Sequence, residues 1–324
     1  VQIKINPRYV NENCTGCGEC AKVCQTEIDS AYDFGMKKIK GAYLPFEMAF
    51  PARYVLAPEI IGTDDATRCK EACAYDAVDL DMKTKTLDLK VGAVVYATGW
   101  EPYDATKIDN LGFGQVPNII TNMMMERLAA PNGPTQGKIL RPADQKAPET
   151  VAFVQCAGSR DENHLPYCSY ICCMASLKQA LYVREQYPDA TIYIFYIDIR
   201  SPGQRYEKFY QKVKDDDKII FVKGKVAEVS EDADTKKITV VAENAVTGEK
   251  IRQEVDMAVL ATGMQPTAAV DKLPADLNYN EDGFIINDFE KGGMFATGCA
   301  NKPADVVSSN QSATGMALKA IQTL

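Results

Sequence analysis

Histidine is almost absent: His164 stands alone in 324 residues, so nucleophilic catalysis by a Ser-His or Cys-His pair has almost no material to work with. Clusters of basic residues are absent as well. Lys and Arg total 36 against 44 Asp and Glu, a formal net charge of −8. That balance leaves no electrostatic footprint for a nucleic-acid backbone or an anionic membrane surface. No apolar run approaches the roughly 20 residues of a membrane-spanning helix, and no signal-peptide pattern opens the chain. The expectation is a cytoplasmic protein without a span of its own. A G-x-G-x-x-G segment is also missing, and with it the usual glycine cradle for a dinucleotide pyrophosphate. The first residue is Val1, not Met, and the alternating strand-like stretch Val1-Gln2-Ile3-Lys4-Ile5 begins at once. The start reads as the middle of a longer protein.

Cysteine is what the chain has in excess. Its eleven copies fall in bunches, Cys14, Cys17, Cys20 and Cys24, then Cys69 and Cys73, then Cys156, Cys168, Cys172 and Cys173, with Cys299 alone. Short spacings without an export signal point to metal or redox chemistry before structural disulfides. Cys14 to Cys24 is C-x2-C-x2-C-x3-C, a run that wraps four thiolates around a [4Fe–4S] cube. Zinc and plain disulfides are the bland alternatives, but zinc sites favour two separated C-x2-C knuckles. Gln25 stands where a Pro usually follows, and in two-cluster ferredoxins the fourth Cys of a run serves the other cluster. Cys69-Lys-Glu-Ala-Cys73 then reads as the second half of a second run whose first two positions are Thr63 and Ala66. A complete second cluster there is not expected. The first cluster takes Cys14, Cys17 and Cys20, and its fourth ligand is Cys24 or Cys73; the spacing leaves both open.

The 46% hydrophobic content is that of a packed globular chain with room for two domains. Ala77–Leu80 and the apolar run Val91–Ala97 read as strands, the latter buried and closed by Thr98-Gly99. Turn residues mark a linker from about Asn132 to Glu149. Beyond it, strand Val151–Cys156, helix Cys172–Tyr187, strand Thr191–Ile197, helix Arg205–Lys214 and strand Ile219–Val222 give the alternation of a parallel, doubly wound sheet. A meander follows over Lys225–Ser230, Ile238–Glu243 and Lys250–Glu254. Strand Met257–Ala261 ends in Thr262-Gly263, and a long amphipathic helix covers Val306–Leu324. At the first strand-to-helix turn of this second unit lie Cys156, Cys168, Cys172 and Cys173. Two of them open the helix, where the dipole favours thiolates and a ligated anionic cluster. They are read as a second [4Fe–4S] site, the alternatives being buried helix cysteines or a Cys172/Cys173 pair cycling as thiols in a pyridine-nucleotide or disulfide reductase. Thr98, Gly99, Thr262, Gly263, Gly298 and Cys299, with Gln311 and Ser312 on the last helix, are the candidate flavin contacts, and that helix would aim its N-terminus at the flavin pyrimidine.

Several stretches carry a family likeness: Pro7-Arg-Tyr-Val10, Gly41-Ala-Tyr-Leu-Pro-Phe46, Val91-Gly-Ala-Val-Val-Tyr-Ala-Thr-Gly99, Gln155-Cys-Ala-Gly-Ser-Arg-Asp161, Cys168-Ser-Tyr-Ile-Cys-Cys-Met174 and Tyr196-Ile-Asp-Ile-Arg200. With them the chain resembles the A-type flavoprotein of heterodisulfide reductase. It resembles more closely the A-type flavoprotein of the quinone-interacting membrane-bound oxidoreductase, toward which the incomplete second run and Ala-Thr-Gly-Trp100 tilt it. The resemblance implies an α/β, thioredoxin-reductase-like body of two dinucleotide-binding domains holding FAD, with an inserted ferredoxin-like segment. It divides the chain into residues 1–13 and 84–130 (part of the FAD domain), 14–83 (the insertion), 131–150 (a linker), 151–256 (a degenerate NAD-type domain) and 257–324 (the rest of the FAD domain). The family's glycine-rich FAD-binding βαβ would lie outside the chain. The implied partners are a sister flavoprotein, a membrane quinone-reacting subunit that would tether the protein to the inner membrane face, and adenylylsulfate reductase.

Overall fold

Two strands of alternating sequence, β1 (Gln2–Ile5) and β2 (Lys85–Asp88), pair antiparallel and bring the two ends of the first cysteine-bearing segment together. The structure is a computed structural model that describes residues 1–290 and 292–323. It divides into two units, Val1–Val91 with Asn132–Pro134, and Gly92–Pro131 with the chain from Thr135 onward. The strand pair that enters and leaves the cysteine segment therefore travels with it.

In the first unit, α1 (Glu19–Val23) and α2 (Asp64–Glu71) pack around a core of Val10, Leu56, Ile60, Val78, Cys24 and Cys69. The strand expected at Ala77–Leu80 shrinks to a single bridge between Val78 and Val10. Tyr9 explains the loss, because its left-handed φ of 57° turns the partner strand out of the ladder. Asp65, on the first turn of α2, is a buried carboxylate that accepts from the backbone N–H of Gln25 at 2.9 Å and of Thr26 at 2.8 Å, and also from Thr26 Oγ1 and Arg68. The Gln25 amide, then the Thr26 hydroxyl, hold its carboxyl well below the usual carboxylate range. A depressed pKa makes the stabilisation complete above the unfolded value of about 4 and lost as pH falls below it. Asp65→Ala strands two amides and is expected to cost this unit about 3 kcal/mol at neutral pH. Hydrogen exchange should show Gln25 and Thr26 losing protection, with the gap to wild type narrowing in acid.

The second unit is built on a parallel sheet. Its elements are β3 (Val94–Tyr96), β4 (Ile119–Thr121), α3 (Asn122–Ala129), β5 (Thr150–Ala157), α4 (Cys172–Gln186), β6 (Thr191–Tyr196), α5 (Gln204–Lys214), β7 (Ile219–Lys223), the antiparallel meander β8 (Val226–Glu231), β9 (Ile238–Glu243) and β10 (Lys250–Val255), then β11 (Met257–Thr262), β12 (Met294–Ala296) and α6 (Val306–Thr323). The sheet runs in the order β7-β6-β5-β11-β4, all parallel. Val151 to Val154 and Met257 to Ala261 are buried without alternation, as a sheet covered on both faces requires. Helix α4 buries Leu177, Ala180 and Val183, and Pro188 follows its end. The run expected as a buried strand over Val91–Ala97 keeps only β3, which pairs with β12 alone; with one neighbour and one covered face, Val95 stays exposed. The helix expected to reach Leu324 ends at Thr323, and Leu324 lies outside the described residues. Among the described residues no helix is long and apolar enough to cross a membrane.

Candidate cofactor sites

The first unit closes a small cavity lined by Cys14, Cys17, Cys20 and Cys73, with Tyr54 and Val78 beside them. The loop reaches this shape through Gly18, whose φ is 83° and whose missing Cβ would stand 3.0 Å from Tyr54 Oη. Burial pushes the Cys20 thiol up to about 11, and the neighbouring Cys14, Cys17 and Cys73 add to the rise. Ala77 donates its N–H to Cys73 Sγ at 3.3 Å, the kind of hydrogen bond that stabilises a ligated sulfur. Cys24 faces elsewhere. It is buried with Cys69, whose thiol contacts it and also donates to the Cys20 carbonyl at 3.2 Å.

The reason lies in α2. Thr63, Ala66, Cys69 and Cys73 repeat the spacing of Cys14, Cys17, Cys20 and Cys24. Where the first run stays an open loop until Glu19, the second is helical from Asp64, one turn earlier relative to its cysteines. The loop that would wrap a second cluster has wound into helix, and Ile60 fills the space against Gly41 and Cys24.

In the second unit, Cys156, Cys168, Cys172 and Cys173 line one cavity, together with Arg160, Tyr170, Asp198 and Arg200. It sits at the carboxyl end of β5, where parallel sheets place their ligands. The pairing of β5 with β11 shifts register between Val154 and Ala157, and Cys156 takes a φ of 56°, so the bulge re-aims that thiol. Gly263 lets the returning loop press in, since a Cβ there would lie 2.6 Å from Ser159 Oγ. Ser159 and Ser169 share a 2.6 Å hydrogen bond, and Met264 N–H donates to Ser169 Oγ. Ile171 leaves the N-terminus of α4 without a side-chain cap, and that end of the helix dipole favours an anion. Burial raises the Cys172 thiol far above its ordinary value and pushes Cys156 up to about 11, with Cys173 adding and Arg160 opposing. The sulfurs of the adjacent pair diverge, Cys172 toward the Thr262 carbonyl and Cys173 toward that of Asp198. Sulfurs that point apart are not placed to bond to each other as a disulfide. Among the described residues no three Cys, His, Asp or Glu side chains converge to hold a single metal ion; both cysteine sets stand around a space.

A third cavity in this unit measures about 1000 Å³ and is walled by Gly99, Trp100, Tyr170, Gly298 and Cys299, the first turn of α6 and one side of α5. Asp305 caps α6 by accepting from Ser308 N–H at 2.7 Å.

No family model matches the chain. Among curated proteins, it is 37% identical over 336 residues to an A-type CoB–CoM heterodisulfide reductase iron-sulfur subunit of Methanopyrus kandleri, covering 100% of this chain and 51% of that protein. The corresponding protein of Methanocaldococcus jannaschii is 37% identical over 98% of this chain and 50% of its own length. The chain belongs to the heterodisulfide reductase A-type iron–sulfur flavoprotein family. It spans about half the length of these relatives. Another relative, the A-type component of the ferredoxin/F(420)H(2)-dependent CoB–CoM heterodisulfide reductase of Methanosarcina acetivorans, is 35% identical over 100% of this chain and 42% of that protein. Among solved structures, Lactococcus lactis thioredoxin reductase matches with a TM-score of 0.48 and 16% identity, over 87% of this chain and 85% of that one.

In this member of the heterodisulfide reductase family, the candidate flavin contacts separate. Gly99, Gly298 and Cys299 line the large cavity. Thr98 does not; it is exposed, and its carbonyl accepts from Thr267. Thr262 is buried against Asn122, and Gly263 packs on the thiol loop, so both serve the cysteine site. Gln311 and Ser312 line a separate pocket. Ser312 does reach the Thr297-Gly298 turn, bonding Thr297 Oγ1 at 2.9 Å and accepting from Gly298 N–H at 3.2 Å. Arg160 and Arg200, which are not among the candidates from sequence, both border the second thiol cavity. Sequence reasoning misses Tyr170 altogether.

Proposed function

We propose that this chain is the electron-transfer core of a heterodisulfide-reductase-type oxidoreductase, holding FAD and two [4Fe–4S] clusters. The carrying observation is that eight of the eleven cysteines form two sets of four, each around its own cavity. Cys14, Cys17, Cys20 and Cys73 would hold one cluster, and Cys156, Cys168, Cys172 and Cys173 the other. Clusters pass electrons singly whereas a flavin gathers pairs. Amide donors at Cys73 and Cys168, with the Arg160 guanidinium beside Cys156, stabilise sulfur-borne negative charge. Arg160 is fixed for this by Asp198 at 2.8 Å. Gly99, Gly298 and Cys299 would receive the flavin ring beside the first turn of α6. The incomplete second run and Trp100 support the quinone-linked branch. Its partners would then be a membrane quinone-reacting subunit, a sister flavoprotein and adenylylsulfate reductase, with membrane attachment through the first of these.

The test is metal and sulfide analysis of anaerobically purified protein, with EPR after dithionite reduction. About eight irons and eight sulfides per chain are expected, with cubane signals. A colourless protein containing zinc would sink the proposal.

A further inference from the structure

Among the described residues, Tyr170 is the one common to the walls of the second thiol cavity and the large apolar cavity. Its backbone is in the left-handed region, φ 70°, which a bulky residue enters only when its surroundings force it. They do so here. Ser169, fully buried just before it, is held from both sides by Ser159 and by the Met264 amide, and Ile171 N–H closes a tight turn onto the Ser169 carbonyl at 2.8 Å. In this conformation the Tyr170 N–H donates to Cys168 Sγ at 3.4 Å, and the residue lines both cavities.

We propose that Tyr170 is the partition between the two cofactor cavities, a positioning residue whose ring keeps water in the large cavity away from the cluster. The inference rests on the cluster assignment made above. Reduction adds negative charge to a cluster, and water stabilises that charge, so a drier site has a lower potential. Besides its four thiols, the rest of the thiol cavity's wall is polar, with Arg160, Arg200, Asp198, Ser159 and Ser169 on it. The Tyr170 side is the wall that faces apolar space, and its ring decides whether water crosses.

The experiment uses Tyr170→Gly and Tyr170→Phe in the whole protein. Glycine tolerates the left-handed backbone and keeps the N–H to Cys168, removing only the ring; Phe keeps the ring without the hydroxyl. Iron is counted first, and each cluster is then followed by EPR-monitored redox titration. Tyr170→Gly is expected to retain wild-type iron and to shift one cluster's midpoint upward by about tenfold in its one-electron equilibrium, ~59 mV. The other cluster should not move, and Tyr170→Phe should match wild type. Full iron with an unmoved midpoint in Tyr170→Gly overturns the partition, as does a Phe variant that shifts equally. Loss of iron in Tyr170→Gly assigns the ring a purely structural role and also overturns it. Wild-type protein with only one cluster would instead overturn the cluster assignment, before the variants are consulted.

Discussion

Cys73→Ala is expected to remove about four of about eight irons, while Cys24→Ala leaves the count unchanged. The two residues are equivalent by spacing, and geometry separates them. Cys73 shares a cavity with Cys14, Cys17 and Cys20, whereas Cys24 is turned into the core against Cys69. A missing thiol in the cavity leaves three ligands for a cube that takes four. A missing thiol at Cys24 costs only the packing of one small buried group, on the order of 1 kcal/mol. Alanine is the better probe than serine, whose oxygen can substitute as a ligand. Iron and sulfide analysis of the two folded variants decides the matter. Loss of iron from Cys24→Ala with retention in Cys73→Ala would show that the run closes on itself.

Cys172→Ala is expected to remove the other four or so irons and one of the two cubane EPR signals. Its thiol is buried at the first turn of α4, where the uncapped amides and the neighbouring thiols make a place that balances a large anion. The variant should empty this site while leaving the iron of the first unit in place. The two losses are independent, because each cavity lies within its own unit. Unaltered iron in Cys172→Ala would return the Cys172/Cys173 pair to consideration as thiols.

The legible part of this chain is its periodicity and its cysteine bunches. The apolar runs within Thr150–Ala157 and Thr191–Tyr196, and the long helix opened by Cys172, follow from residue type and turn signals. The fourth ligand of the first site is not legible, because it depends on α2 winding one turn further back than α1, a choice that Ala66 permits but spacing cannot reveal. Thr98 and Thr262 show the complementary failure. A small residue and Gly at a strand end say that the chain turns there, not which cavity the turn faces. Gln311 and Ser312 miss the large cavity for a related reason, since the side of α6 that meets a pocket is set by packing. Tyr170 leaves no signal at all, because a left-handed aromatic residue is imposed by its neighbours.

The turn of α2 that stands where a second cluster's loop would run leaves Asp65 near Cys69 as a charge fixed across the neutral pH range. A cluster in that place would change charge with every electron, and coupled redox groups, like coupled acids, shift one another's apparent midpoints. A carboxylate exerts a constant field. With one cluster held by Cys14, Cys17, Cys20 and Cys73, as proposed, the first unit would take up an electron with no second cluster beside it in the same fold to shift its midpoint.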